Sequence, residues 1–409
     1  MKMTMTEKKQ QIDKGWVIVS LSSIPLIMTL GNSMLIPILP MLENKVDITK
    51  LQTSYIITVY SIVAIICIPI AGYLSDRFGR KKIIIPALIL TGIGGLIAGI
   101  SSWKMDDPYV LIIIGRILQG IGASGAMPIV LPLVGDIFKS DKEASTTLGI
   151  VETSNTIGKV LSPILGAALA GVIWFLPFLS IPVFSLVSLL LVIFLIKEKD
   201  KDPEDDISFQ TYWQQIVSCF REHARWLIAV FIIGAILMFI LFGFLFYLSN
   251  ILEDDFSFEG VKKGFLLAIP LLALAIASFS AGKFIGDDLL RMKWLLFVGI
   301  VVTGISVIFI IWADHFISLI ITFLCCGIGI GLALPPLDAL ITKSLDQEVR
   351  GVITSVYSAM RFIGVALGPP IIAVLMKQNL VWMSSLLVIC ALIAGVLAFK
   401  QITPEQKTT

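Results

Sequence analysis

Three polar residues at helical spacing interrupt the apolar stretch "GIVETSNTIGKVLSPILGAALAG": Glu152, Asn155 and Lys159. Separations of three, four and seven place them along one stripe of a helix. An acid and a base in such surroundings can carry a proton, bind a charged substrate, or pair with charges on another element. Glu152 and Lys159 stand about 10 Å apart along the helix, too far for a direct salt bridge. Each therefore needs water, substrate or another helix.

Three more charges lie in apolar sequence: Arg116, Asp338 and Arg361. A carboxylate that alternates between a wet cavity and a dry interface takes up and releases a proton, because desolvation disfavours its charged form. Glu152 is the first candidate for that role and Asp338 the second, with Arg116 a cation that tunes a neighbouring acid. The plainer reading of both carboxylates is a solvated acid near a helix end. Arg361 reads as a structural partner. Lys159 either is neutralised by an acid or meets an anionic or zwitterionic substrate. Asn32, Ser33 and Asn155 add neutral hydrogen-bonding groups at comparable depth. Phe239, Phe242, Phe246 and Tyr247, in "FILFGFLFYLSN", are candidates to line an apolar cavity.

The elements that must position these groups are membrane spans. Hydrophobic residues make up 57% of the 409 and charged ones only 15%, where a soluble domain has about a quarter charged. Mean hydropathy is +0.95. A spanning helix needs roughly 20 apolar residues. On that rule the chain has twelve, at 17–42, 53–74, 83–101, 108–137, 146–172, 176–196, 226–250, 262–282, 294–312, 315–342, 352–376 and 380–399. The joint between the fifth and sixth, "IWFLP", holds almost nothing polar. Loops on the side of the N-terminus carry 22 Lys and Arg against 6 on the other side. Positive charge marks the cytoplasmic face, so both termini are expected there, in a multi-pass protein of the plasma membrane. The first apolar block is expected to be a retained span rather than a signal peptide. With a net charge of +2 and no basic patch, nucleic acid is no expected partner. The five cysteines form no CxxC pair and read as small buried hydrophobes.

The one long polar tract inside the chain, "KEKDKDPEDD", lies near its middle. Phe209, Trp213, Ile216, Val217 and Phe220 follow at helical spacing, as in an amphipathic helix lying on the cytoplasmic leaflet. This divides the chain into a six-helix bundle over 1–196, a linker over 197–225 and a second six-helix bundle over 226–409. The halves repeat. "IGASGAMP" matches "IGIGLALP" at an offset of 207, and "IGKVLSP" matches "IGVALGP" at 206. Six spans per half make the duplication parallel, an arrangement suited to alternating access around a central cavity.

Between the second and third spans, "GYLSDRFGRKK" puts Asp76 between Gly72 and Gly79 and beside Arg77 and Arg80. This loop resembles the signature G-x-L-x-D-R-x-G-R-K of the major facilitator superfamily. "GRILQGIGASGAMP" and "LGNSMLIPILP" are similar to patterns of its fourth and first spans. Gly158-x-x-x-Ser162-Pro163-x-x-Gly166-Ala167 is similar to the antiporter motif G-x-x-x-G-P-x-x-G-G, with Ser162 and Ala167 in place of glycines. The resemblance extends to the twelve-span drug:proton antiporters. It implies an all-α membrane fold of two six-helix bundles, and a latch in which Asp76 meets the residues after Gly351 and Arg77 meets Asp136. Gly158, Ser162, Pro163 and Gly166, with Gly364, Gly368 and Pro369 in the second half, allow close helix packing.

The expected function is a secondary active exporter moving amphipathic or lipophilic compounds outward against inward protons. An exporter of one metabolite, sugar or lipid-linked compound is the alternative. A polytopic enzyme is disfavoured because no catalytic cluster is found, and no metal site is expected. The proton gradient replaces a cofactor, since no GxxxxGK[ST] is present. Expected partners are the small-molecule substrate, protons and membrane lipids, with the protein a monomer.

Overall fold

Apolar blocks of this length satisfy their backbone polar groups internally only as helices. The computed structural model accordingly shows helices alone among the described residues, which are 5–138, 140–197, 209–286, 288–313, 315–345 and 347–402. Twelve candidate spans run from Lys14–Val46 to Leu380–Gln401. The first is built of α1 (Met5–Ser33), a 3-10 turn at Ile36–Ile38 and α2 (Leu39–Val46). Pro37 and Pro40 each open the segment after a break, where a missing N–H costs least. Spans two to twelve are α3 (Lys50–Phe78), α4 (Arg80–Lys104), α5 (Tyr109–Ile137), α6 (Asp141–Val172), α7 (Leu176–Leu195), α8 (Phe209–Asp254), α9 (Gly260–Ile285), α10 (Leu289–Phe309), α11 (Phe316–Ser344), α12 (Gln347–Gln378) and α13 (Leu380–Gln401).

At the "IWFLP" joint, α6 stops at Val172 and Pro177 opens α7. The linker differs from expectation. Residues 198–208 lie outside the described ones, and from Phe209 the chain forms one 46-residue helix that continues into span seven. No proline occurs between 209 and 254, so nothing in the sequence stops the helix where the membrane begins.

The repeat is visible in the helix bounds. Helices α5 and α11 both have 29 residues and start 207 apart; α6 and α12 both have 32 and start 206 apart. Packing repeats pair for pair as well. Span one lies on spans five and six, and span seven on spans eleven and twelve. Between the halves, span two packs on span eleven and span five on span eight, which are equivalent pairs under the duplication.

Among the described residues, contacts between the halves gather away from the face that bears the termini. On that far face the Ser249 hydroxyl donates to the Ile36 carbonyl at 2.9 Å, and Lys50 pairs with Asp254. Deeper in, Thr58 donates to the Ala366 carbonyl at 2.7 Å, and Tyr60 meets Phe362 with ring centroids 6.3 Å apart. Ala64, Ile68, Ala359 and Phe362 extend this seam through the midplane.

Candidate functional site

The charged stripe of span five faces the other half. Asn155 is buried, accepts from the Thr29 hydroxyl at 2.5 Å and donates to Glu152 at 3.1 Å. Span one thereby fixes Asn155, and Asn155 fixes the Glu152 carboxylate, which is itself exposed. Lys159, two turns further on and half-buried, interacts electrostatically with Glu152 on its own helix and with Arg361 and Asp338 across the interface.

Asp338 and Arg361 form the opposite wall. Their Oδ1 and Nη1 atoms lie 3.4 Å apart, with the side chains 44% and 23% exposed. The Arg361 guanidinium sits 5.6 Å from the ring centre of Tyr357, one turn earlier on α12. That tyrosine is buried against Phe231 and Gly234 of span seven. Its hydroxyl interacts with Asp338 but makes no hydrogen bond of ordinary geometry. Glu152, Lys159, Asp338 and Arg361 thus form one mixed-charge cluster contributed by both halves. Its acids lie about 9 Å inside the ends of spans five and ten on the side of the termini, while the halves are joined on the far side. Such a site can hold a charged ligand and can exchange a proton with water.

Arg116 belongs elsewhere. It is wholly buried and donates to the Ile56 carbonyl at 2.7 Å, the Gly31 carbonyl at 3.4 Å, Gln119 at 2.5 Å and Asn32 at 2.6 Å. Its guanidinium lies 4.4 Å from the ring centre of Tyr60. Every hydrogen-bond partner is neutral, so the acid expected beside it is replaced by carbonyls, amides and an aromatic face. Arg116 ties spans one, two and four together. Asn32 is committed to it, and Ser33 is buried beside Asn32. The duplication places Phe323 at the equivalent position, where it packs on Phe244 at 4.6 Å and on Tyr247 at 6.4 Å.

The span-seven aromatics differ from a cavity lining in this conformation. Phe239, Phe246 and Tyr247 are buried in the core, Phe246 being only 1% exposed. Phe242 alone of the four is partly exposed. Nothing in the spacing signals this, because a phenylalanine run reads alike on a cavity, core or lipid face.

The loop after span two is a one-residue turn. Gly79 adopts φ 100°, which favours glycine, and α4 starts at the next residue. This turn brings Arg80 between two acids: Asp76 at 2.9 Å and Asp136 at 2.5 Å. The partner shown for Asp136 is thus Arg80, while Arg77 lies against Tyr73 and the Phe78 ring. Lys81 donates to the carbonyls of Ile193 and Ile196, capping the end of span six. The contact expected of Asp76 with the start of span eleven falls on 347–350 and 352, whose side chains lie outside the described residues.

The small-residue motifs pack as their composition implies. Gly158 faces the Leu26 carbonyl, with 3.1 Å available to a Cβ, and Gly166 abuts Met34. Equivalently, Gly364 abuts Ala235, and Gly368 lies against Phe239 and Gly243 of span seven. Ser162 is buried, and its hydroxyl turns back to the Lys159 carbonyl at 2.9 Å.

Comparison with known proteins is consistent with this arrangement. The Bacillibactin exporter of Bacillus subtilis (strain 168) is 54% identical over 88% of this chain and 90% of its own length. Multidrug resistance protein 1 of the same organism is 25% identical over 83% of this chain and 84% of its own. A crystal structure of a bacterial homologue of the human lysosomal transporter Spinster, in an inward-facing conformation, superposes with a TM-score of 0.76 at 15% identity, covering 96% and 99% of the two chains. The profile of the Major Facilitator Superfamily matches residues 21–369 and 250–409. The chain therefore belongs to the Major Facilitator Superfamily, a family of membrane transporters.

Proposed function

We propose that this protein exports bacillibactin, or a compound closely similar to it, by alternating access driven by inward protons. The observation that carries the reading is the 54% identity to the Bacillibactin exporter over nearly the full length of both chains. At 25%, Multidrug resistance protein 1 is a far weaker match, so the reading moves from broad drug export to one principal cargo. The excess of basic residues on the terminal face supports cytoplasmic termini and a plasma-membrane setting. In that orientation the mixed-charge cluster opens to the cytoplasm while the far side is closed.

Proton coupling is assigned to Asp338 and Glu152. Both are exposed to the cleft at its open end, and each would be desolvated when the halves close over it. The test is transport of bacillibactin into inside-out proteoliposomes carrying an imposed pH gradient, with a pH-sensitive dye inside. Gradient-driven uptake with matching proton movement is the expected result. Uptake indifferent to the gradient, or no uptake of bacillibactin, would overturn the reading.

A further inference from the structure

Lys159 is the cation that the cluster leaves without a direct ion pair, as Glu152 is the acid. Among the described residues its ammonium has no ion pair and no hydrogen-bond acceptor. Neither nearby acid contacts the ammonium directly: Glu152 accepts from Asn155, and Asp338 pairs with Arg361. The side-chain hydrogen bonds of Asn155 go to Thr29 and Glu152 and none to the ammonium. The ordinary escape for a membrane lysine is to extend its stem to the interface. Lys159 lies about 20 Å from the start of span five, beyond the reach of a four-carbon stem.

The fold does not require a charge there. The duplication puts Val365 at the equivalent position of span eleven, where it is buried, and the flanking glycines pack alike in both halves. An apolar residue therefore suffices for the packing. The electrostatic neighbours of Lys159 on the opposite wall come from spans ten and eleven, so the ammonium faces the cleft between the halves. A cation held at that depth with no direct ion pair has its hydrogen-bond donors available to an anion that enters the cleft.

We infer that the cargo is an organic anion and that Lys159 is the contact that selects it. The inference rests on the export reading, because it concerns the same cleft. Neutral or cationic compounds of similar shape lack the charge that the ammonium attracts, so they bind more weakly than the anion.

The test uses purified full-length protein in nanodiscs and two probes that differ only in charge, 2-naphthoate and 2-naphthamide, with binding followed by calorimetry. The wild-type protein is expected to favour the carboxylate at least tenfold. Lys159→Gln is expected to abolish that preference while changing the amide's affinity less than twofold, and Lys159→Arg to retain it. Should Lys159→Gln fail to fold, Lys159→Val takes its place, since valine stands at the equivalent position 365. Equal affinity for the two probes, binding of neither, or a preference that survives loss of the lysine would overturn the inference. Bacillibactin transport by the same preparation separates the two proposals. Transport without a charge preference defeats this one alone, and a charge preference without transport defeats the export reading alone.

Discussion

Arg361 on span eleven and Asp338 on span ten meet at 3.4 Å inside the cleft, and neither is fully buried. Their separation and exposure limit the pair to about 1 kcal/mol of stability. It is therefore poorly suited to be a strut, and well suited to a contact that exchanges. Protonation of Asp338 releases Arg361, and a freed guanidinium turns to the Tyr357 ring or to a ligand.

Asp338→Asn tests this exchange. The amide is nearly isosteric and cannot take up a proton, so the melting temperature should stay within about 3 °C of wild type, as a pair of ~1 kcal/mol implies. Gradient-driven transport in proteoliposomes should fall at least tenfold, while counterflow without a gradient persists. Glu152→Gln should show the same split to a lesser degree. Equal loss of both activities would make the pair structural instead.

Arg116 carries the opposite expectation. Removing the guanidinium in Arg116→Met leaves the Gln119 and Asn32 oxygens buried without a donor, at roughly 1–3 kcal/mol each. Thermal unfolding in detergent, followed by tryptophan fluorescence, should show a large loss of stability. Arg116→Lys should recover only part of it, because one ammonium cannot span four acceptors on three helices. If Arg116→Met melted like wild type yet failed to couple, the clamp would give way to a direct role in proton transfer.

What the sequence disclosed follows from which signals are local. Span count, the duplication and the glycine-rich faces are written in apolar length and short repeats, and the helix bounds of α5 and α11 reproduce the sequence offset. Partner choice was less legible because it depends on helix phase. The one-residue turn at Gly79 rotates Arg80 rather than Arg77 toward Asp136, and no spacing rule shows that. Arg116 looked like a charge in need of an acid. Its neutral clamp is assembled from Asn32, Ile56 and Gln119 on three spans, and a backbone carbonyl leaves no mark in a sequence. Thr29 and Tyr357 were missed for a related reason: a lone hydroxyl in an apolar span is too common to single out.

The far-face pair between Lys50 and Asp254 joins the halves and must part for the cleft to open on that side. Both side chains are partly exposed, so the contact is worth at most about 1 kcal/mol. That energy still shifts a two-state population about fivefold. Lys50→Gln should therefore raise the population open at the far face, read as a lengthened spin-label distance between spans two and seven. The charge swap Lys50→Asp with Asp254→Lys should restore the wild-type distribution. Unchanged distances in the single variant would remove this pair from the gate.

Gly364 provides the clearest contrast between packing and chemistry. A Cβ there would meet the Ala235 carbonyl and come within 2.7 Å of the Phe239 nitrogen, both backbone atoms of span seven. Backbone cannot step aside as a flexible side-chain end does, so Gly364→Ala must separate spans seven and eleven. Close approach of those spans also seats Tyr357 against Gly234, and with it the platform under Arg361. Gly364→Ala should therefore lower both folded yield and transport, with the loss of transport following the loss of stability. Gly158→Ala should be milder, because its nearest neighbour, the Leu26 carbonyl, would lie at 3.1 Å. Gly351→Ala should be silent, since a Cβ at that position meets nothing within 4 Å. Yield and melting temperature of the three variants, measured side by side, give the order directly. A Gly364 variant as stable as the Gly351 variant would mean that spans seven and eleven tolerate separation, and that the platform for Arg361 is set elsewhere.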